Sequence, residues 1–189
     1  MENPTTMLVS IMFVTILALA IGNILTTCAE IAGGQRQPLP ERIQLSWILL
    51  MLFALLSLFW QTTVLFNIEE WQFVEFLYVI AGPMMLFFAT NIITVPVKDV
   101  QSIDNHGHYF GLCRRFYVML ALHEAWIVGL DGLYSNLTLL SLINTMLLFL
   151  FLVLAVSRSL RVHVTGTILA WAGYILALLL RTLGTPDIL

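Results

Sequence analysis

His123 and Glu124 are adjacent ionisable residues near the middle of an otherwise apolar run, Phe116 to Leu133. A charge at the centre of a bilayer costs at least ~2.5–3.5 kcal/mol, so such residues face protein or a water-filled path. A carboxyl held there can bind and release a proton or pair with a cation, and an imidazole, with an unperturbed pKa of about 6.5, can relay protons. On a helix, positions 117, 121, 124, 128 and 131 share one face, and they read Tyr117, Ala121, Glu124, Val128 and Asp131. Asp131 lies seven residues beyond Glu124, or about 10 Å along the axis. Glu69, Glu70 and Glu75 are expected at the same membrane surface as Asp131. An acidic mouth leading to a buried carboxyl concentrates cations and then offers them a titratable group. Glu124 is therefore the expected transport or proton-relay group, with His123, Asp131 and Glu75 contributing and Tyr174 as a hydrogen-bond partner for Glu124. The competing expectation is a Glu124 that bonds a neighbour and only fastens helices together. His123 points about 100° away from Glu124, so the two need not share a partner.

Three further patterns carry some chemistry. Gly82-Pro83 sits centrally in the third apolar run. Proline removes the bond to the carbonyl four residues back, Val79, and kinks a helix, and such a freed carbonyl can face an ion or simply shape the bundle. Asp104-Asn105-His106-Gly107-His108 places two imidazoles one residue apart, with His163 as a further ligand in reach of the same surface. That spacing matches no zinc or haem signature, so no cofactor is expected and metal or haem binding through His106, His108 or His163 is the weak alternative. Gly166, Ala170, Gly173 and Ala177 form a small-residue stripe in the last run, which reads as a packing face within the chain or between subunits.

No catalytic signature is present: there is no P-loop, no Gly-x-Ser-x-Gly and no His-Glu-x-x-His. The single lysine, Lys98, lies in a loop and excludes a retinal Schiff base inside the bundle. Eight Lys and Arg against eleven Asp and Glu leave no basic patch for nucleic acid. The two cysteines, Cys28 and Cys113, are expected near the cytoplasmic face, where thiols stay reduced.

The elements that must position these residues follow from composition. Hydrophobic residues make up 60% of the 189-residue chain and charged residues 10%; a soluble domain carries roughly 25% charged residues. The chain therefore reads as an all-α, polytopic membrane protein, a six-transmembrane-helix bundle forming one domain over residues 1–189. The expected spans are approximately 7–29, 45–66, 72–94, 111–133, 137–157 and 162–181, each long enough to cross ~30 Å as a helix. Arg36 and Arg42, then Lys98, Arg114 and Arg115, then Arg158 and Arg161 mark the first, third and fifth loops, whereas the second and fourth contain neither Lys nor Arg. By the positive-inside rule both termini lie outside the cytoplasm (N-out/C-out), and only Arg181 falls near the opposite side. The partners implied are the lipid bilayer and, under the non-catalytic alternative, a larger membrane complex or a homo-oligomer in which the chain is an accessory or scaffold subunit.

Gly22, Trp47, Phe59-Trp60, Trp71-x-Phe73-x-x-Phe76-Leu77, Pro83, Leu86-Phe87, Val95-Pro96, His108-Tyr109-Phe110 and Arg114-Arg115-Phe116-Tyr117 form a pattern running from Ala18 to Leu120. In these residues the chain resembles an uncharacterised family of small bacterial six-span inner-membrane proteins. The resemblance implies a fold and a location in the bacterial cytoplasmic membrane, but no reaction. It ends before His123–Glu124, which sets that pair apart as a feature of this chain.

Overall fold

The computed structural model describes residues 4–34, 41–62, 71–94, 105–134 and 138–183, with the side chains of 41–42, 105–109, 133–134 and 182–183 outside that description. Among the described residues six helices follow one another: α1 (Pro4–Ala32), α2 (Glu41–Gln61), α3 (Phe73–Ile93), α4 (Asn105–Tyr134), α5 (Leu139–Val156) and α6 (Leu160–Leu183). Five of them are long and apolar enough to cross a membrane, which fits an integral membrane protein. The exception is α4, which carries Arg114, Arg115, His123, Glu124 and Asp131. A helix satisfies its own backbone polar groups, which is why apolar runs of this length take no other form in lipid. Side-chain hydroxyls inside the helices turn back on their own backbone, as Thr15 does to the Ile11 carbonyl and Thr145 to the Ser141 carbonyl.

Helix ends follow local chemistry. After α1, Gly34 adopts φ 70°, a left-handed conformation that favours glycine, and its N–H donates to the Ile31 carbonyl. At the start of α5 the Thr138 hydroxyl accepts from the Ser141 N–H. The expected loop through Asn105–His108 is helical instead, because α4 begins at Asn105, before the apolar run. Hydropathy marks where a chain enters an apolar medium, and a helix can continue past that point into polar surroundings.

Around the bundle the helices neighbour one another in the order α1, α3, α4, α5, α6, α2, closing back on α1, with α2 also against α3. Among the described residues no Cα–Cα approach within 8 Å joins α4 to α6. The two are bridged by side chains across the bundle interior.

Toward the α1–α2 end that interior is aromatic. Trp47 from α2 makes edge-on contacts with Phe116 and Tyr117 of α4 and Phe151 of α5, with centroids 5.4, 5.2 and 5.9 Å apart. Such pairs contribute about 0.5–1.5 kcal/mol each beyond their burial. All four residues are fully buried or nearly so. The Trp47 indole N–H donates to Thr167 Oγ1 (2.9 Å) and that of Trp171 to Ser46 Oγ (2.8 Å), tying α2 to α6.

The small-residue stripe of α6 packs within the chain. A Cβ at Gly166 would run into the Leu154 side chain and one at Gly173 into Leu147, so both glycines receive α5 leucines one heptad apart. Ala170 and Ala177, on the same stripe, are buried. Cys28, partly buried, and Cys113, buried, are not joined in a disulfide.

Candidate functional site

Glu124 and His123 leave α4 in different directions, toward different helices. Glu124 is 1% exposed and reaches across to α6, where the Tyr174 hydroxyl donates to its Oε1 at 2.9 Å. Among the described residues its other oxygen, Oε2, is buried and accepts no hydrogen bond. His123 turns to α3, and its Nδ1 lies 3.3 Å from the Gly82 carbonyl oxygen. A carbonyl only accepts, so Nδ1 is the protonated nitrogen of that contact.

His123 belongs to a fastening between α3 and α4. Its ring stacks on Trp126 at 5.5 Å. The Trp126 N–H donates to the Tyr78 carbonyl (2.6 Å), and the Tyr78 hydroxyl donates to the Trp126 carbonyl (3.1 Å). Each aromatic ring rests where the opposite helix lacks a side chain: a Cβ at Gly82 would overlap the Trp126 ring, and one at Gly129 would overlap the Tyr78 hydroxyl. The glycine of Gly82-Pro83 thus receives an indole, and α3 runs as a single helix through Pro83. The carbonyls around this proline that α4 engages are those of Tyr78 and Gly82.

The Glu124 face opens toward the α4–α5 end. Tyr117, Ala121 and Glu124 are buried, whereas Val128 and Asp131 are partly exposed, so accessibility rises along the stripe. Asp131 Oδ2 accepts from Ser141 Oγ (3.0 Å) and Asn144 Nδ2 (3.3 Å) of α5. Seven residues past Tyr174, on the same face of α6, is Arg181. Its guanidinium lies within electrostatic range of Asp131, Glu124, Tyr174 and His123. Because α4 and α6 run in the same direction, the two heptad pairs form a ladder. Glu124 and Tyr174 make the deep rung, and Asp131 and Arg181 make the shallow one. In the other direction, about 10 Å from Glu124, Tyr117 joins the aromatic layer around Trp47.

The remaining candidate residues lie apart from this ladder. Glu75 sits in the first turn of α3, where its Oε2 accepts from the Gln72 backbone N–H (3.1 Å) and so closes that helix end. His163 is at the α1–α2 end: its Nε2 donates to the Ser157 carbonyl (3.1 Å), and its ring meets Phe110 and Tyr117 edge-on. Among the described residues no group of three or more His, Cys, Asp or Glu converges as metal ligands. Glu69 and Glu70 and the side chains of His106 and His108 lie outside the described residues.

Five participants escape a reading of the sequence alone. Arg181 marks only orientation there, although its spacing from Tyr174 copies that of Asp131 from Glu124. Tyr78 and Trp126 each stand three or four residues from a glycine, Gly82 and Gly129, a spacing that could have announced two interlocking rings. Ser141 and Asn144 carry no signal until α5 is placed beside α4.

The chain matches no family model, no curated protein and no solved structure.

Proposed function

We propose that this bundle moves protons or small cations through a site centred on Glu124, with Tyr174 as its fixed hydrogen-bond donor and Asp131 as the outer relay. The observation that carries the reading is Glu124 Oε2, an acceptor that is fully buried and unpaired among the described residues. An unpaired buried acceptor costs about 1–3 kcal/mol and more if charged, and a purely structural glutamate has no need to bear that cost. A group that must take up and give back an ion needs an oxygen left open. The polar stripe through Asp131 supports access from the α4–α5 end, while the layer of Trp47, Phe116, Tyr117 and Phe151 closes the other. In this conformation Glu124 is itself enclosed at 1% exposure, with the polar stripe on one side of it and the aromatic layer on the other, and passage requires the aromatic layer to shift.

His123 is reassigned within this reading from relay to positioning: its bond to Gly82 and its stack on Trp126 hold α4 at a fixed rotation against α3. The location proposed is the bacterial cytoplasmic membrane, multi-pass, with the α4–α5 end facing outward. The experiment is flux of protons, sodium and potassium in proteoliposomes for wild type and Glu124→Gln. Wild-type flux that Glu124→Gln abolishes supports the reading. Flux equal in both samples, or absent from both, overturns it.

A further inference from the structure

Resting on the reading of Glu124 as a transport site, we propose that the species it handles is the proton, and that Arg181 is the residue that excludes metal cations.

The first support is the shortage of oxygen around Glu124. A hard cation stripped of water takes six or more oxygen ligands, as calcium does, or keeps much of its hydration shell, as magnesium does. The deep rung offers three oxygens, two from one carboxyl and one from the Tyr174 hydroxyl, and Oε1 already accepts from that hydroxyl. Its neighbours on the same face, Leu120 and Ala121, are apolar and buried, and His123 is turned to Gly82. Among the described residues no further acid, histidine or cysteine converges there to make a metal cage. A proton needs one open lone pair, which Oε2 supplies.

The second support is the charge at the shallow rung. Arginine is protonated at every physiological pH, so Arg181 is a fixed positive charge that interacts with both acids of the path. Arg181 is exposed at the outer end of the stripe, so a metal ion travelling toward Glu124 carries its whole charge past that guanidinium before it reaches the buried carboxyl. A proton travels by exchange. An O–H bond forms at Glu124 Oε2 as one breaks at the protonated water that donates it. Glu124 passes from carboxylate to carboxylic acid, the donor is left one proton poorer, and nothing else is consumed. Asp131, held by Ser141 and Asn144 of α5 and about 10 Å from Glu124 along the axis, hands a proton inward only through water between the two. Arg181 meanwhile keeps the two acids of the stripe from acting as a double negative trap for sodium or potassium.

Proteoliposomes loaded with a pH dye, with potassium and valinomycin as the only charge shunt, report proton entry, and radioactive sodium uptake is read in parallel. Wild type is expected to admit protons without sodium. Arg181→Gln is expected to raise sodium uptake about tenfold, and Arg181→Lys, which retains the charge, to keep sodium out. Each variant is checked for an unchanged elution profile in mild detergent. Wild-type sodium uptake abolished by Glu124→Gln would overturn the proton assignment while leaving Glu124 as the transport site. Sodium exclusion that persists in a well-folded Arg181→Gln would overturn the role of Arg181. Flux of neither ion in wild type would remove the transport reading itself, and this inference with it.

Discussion

His123 and Glu124 are neighbours in sequence and strangers in space. The 100° rotation between consecutive helical residues sends the imidazole to the Gly82 carbonyl of α3 and the carboxyl to the Tyr174 hydroxyl of α6. The α3 side is the stronger fastening, since Tyr78 and Trp126 each give a side-chain hydrogen bond to the other's backbone and each ring lies over a glycine. Interhelical hydrogen bonds in membrane proteins average about 0.6 kcal/mol and reach about 1.7. The short Trp126 bond, shielded beneath the ring stack, belongs toward the upper end. Replacing Tyr78 by Phe and Trp126 by Phe, singly and together, in a reversible detergent-unfolding assay should therefore give a coupling of about 1 kcal/mol, because the two bonds join the same pair of turns. Additive losses would show that the two bonds act independently. The separate destinations of His123 and Glu124 were legible from helical geometry alone. The identity of the α3 partner was not, because nothing in α4's sequence says which helix its Trp126 face meets.

At the scale of the helices, small residues decide which surfaces touch. Gly82 sits under the Trp126 ring, and Gly166 and Gly173 sit under Leu154 and Leu147, whereas a Cβ at Gly22 would meet nothing within 4 Å. Gly22→Ala is thus expected to stabilise the protein by up to about 0.4–1 kcal/mol, by restricting the unfolded chain and favouring helix. Gly82→Ala forces an aromatic ring out of place and should destabilise by about 1–3 kcal/mol. Unfolding midpoints of the two variants check the contrast, and equal effects would contradict the α3–α4 packing. The run lengths and apolar character of the helices were legible in the sequence because a bilayer imposes both. The start of α4 was not, since its polar first turns are helical without being apolar. The stripe at Gly166, Ala170, Gly173 and Ala177 announced close packing but not its target. Periodicity gives a face, and only the neighbouring helix, α5, says against what. Arg181 escaped for a related reason, because its meaning depends on α6 facing α4 across the bundle interior in matching register.

For the molecule as a whole, the direction of the proposed path depends on which end faces the cytoplasm. The polar ladder opens at the end shared by Gly132 and Arg181, and the aromatic layer lies toward Ser159 and the α1–α2 connection. Arg42, Arg114, Arg115, Arg158 and Arg161 belong to the second of these ends, so in the proposed orientation, which follows the positive-inside rule, the acidic entrance faces outward. In a Cys28→Ser background, with buried Cys113 retained, an impermeant maleimide should label Gly132→Cys on intact cells and Ser159→Cys only after permeabilisation. Both positions are exposed, and a Cβ at Gly132 meets no neighbour, so neither substitution has packing to disturb. The reverse pattern would leave every contact of the bundle in place and invert the function, because Asp131 and Arg181 would then screen cytoplasmic ions. An outward entrance has a physical consequence that an inward one lacks. Under a membrane potential negative inside, a proton reaching Glu124 has already crossed part of the field, at about 2.3 kcal/mol per charge per 100 mV for the full crossing. The depth of Glu124 below Asp131 would make its occupancy voltage-sensitive, and the potential would favour the loaded site.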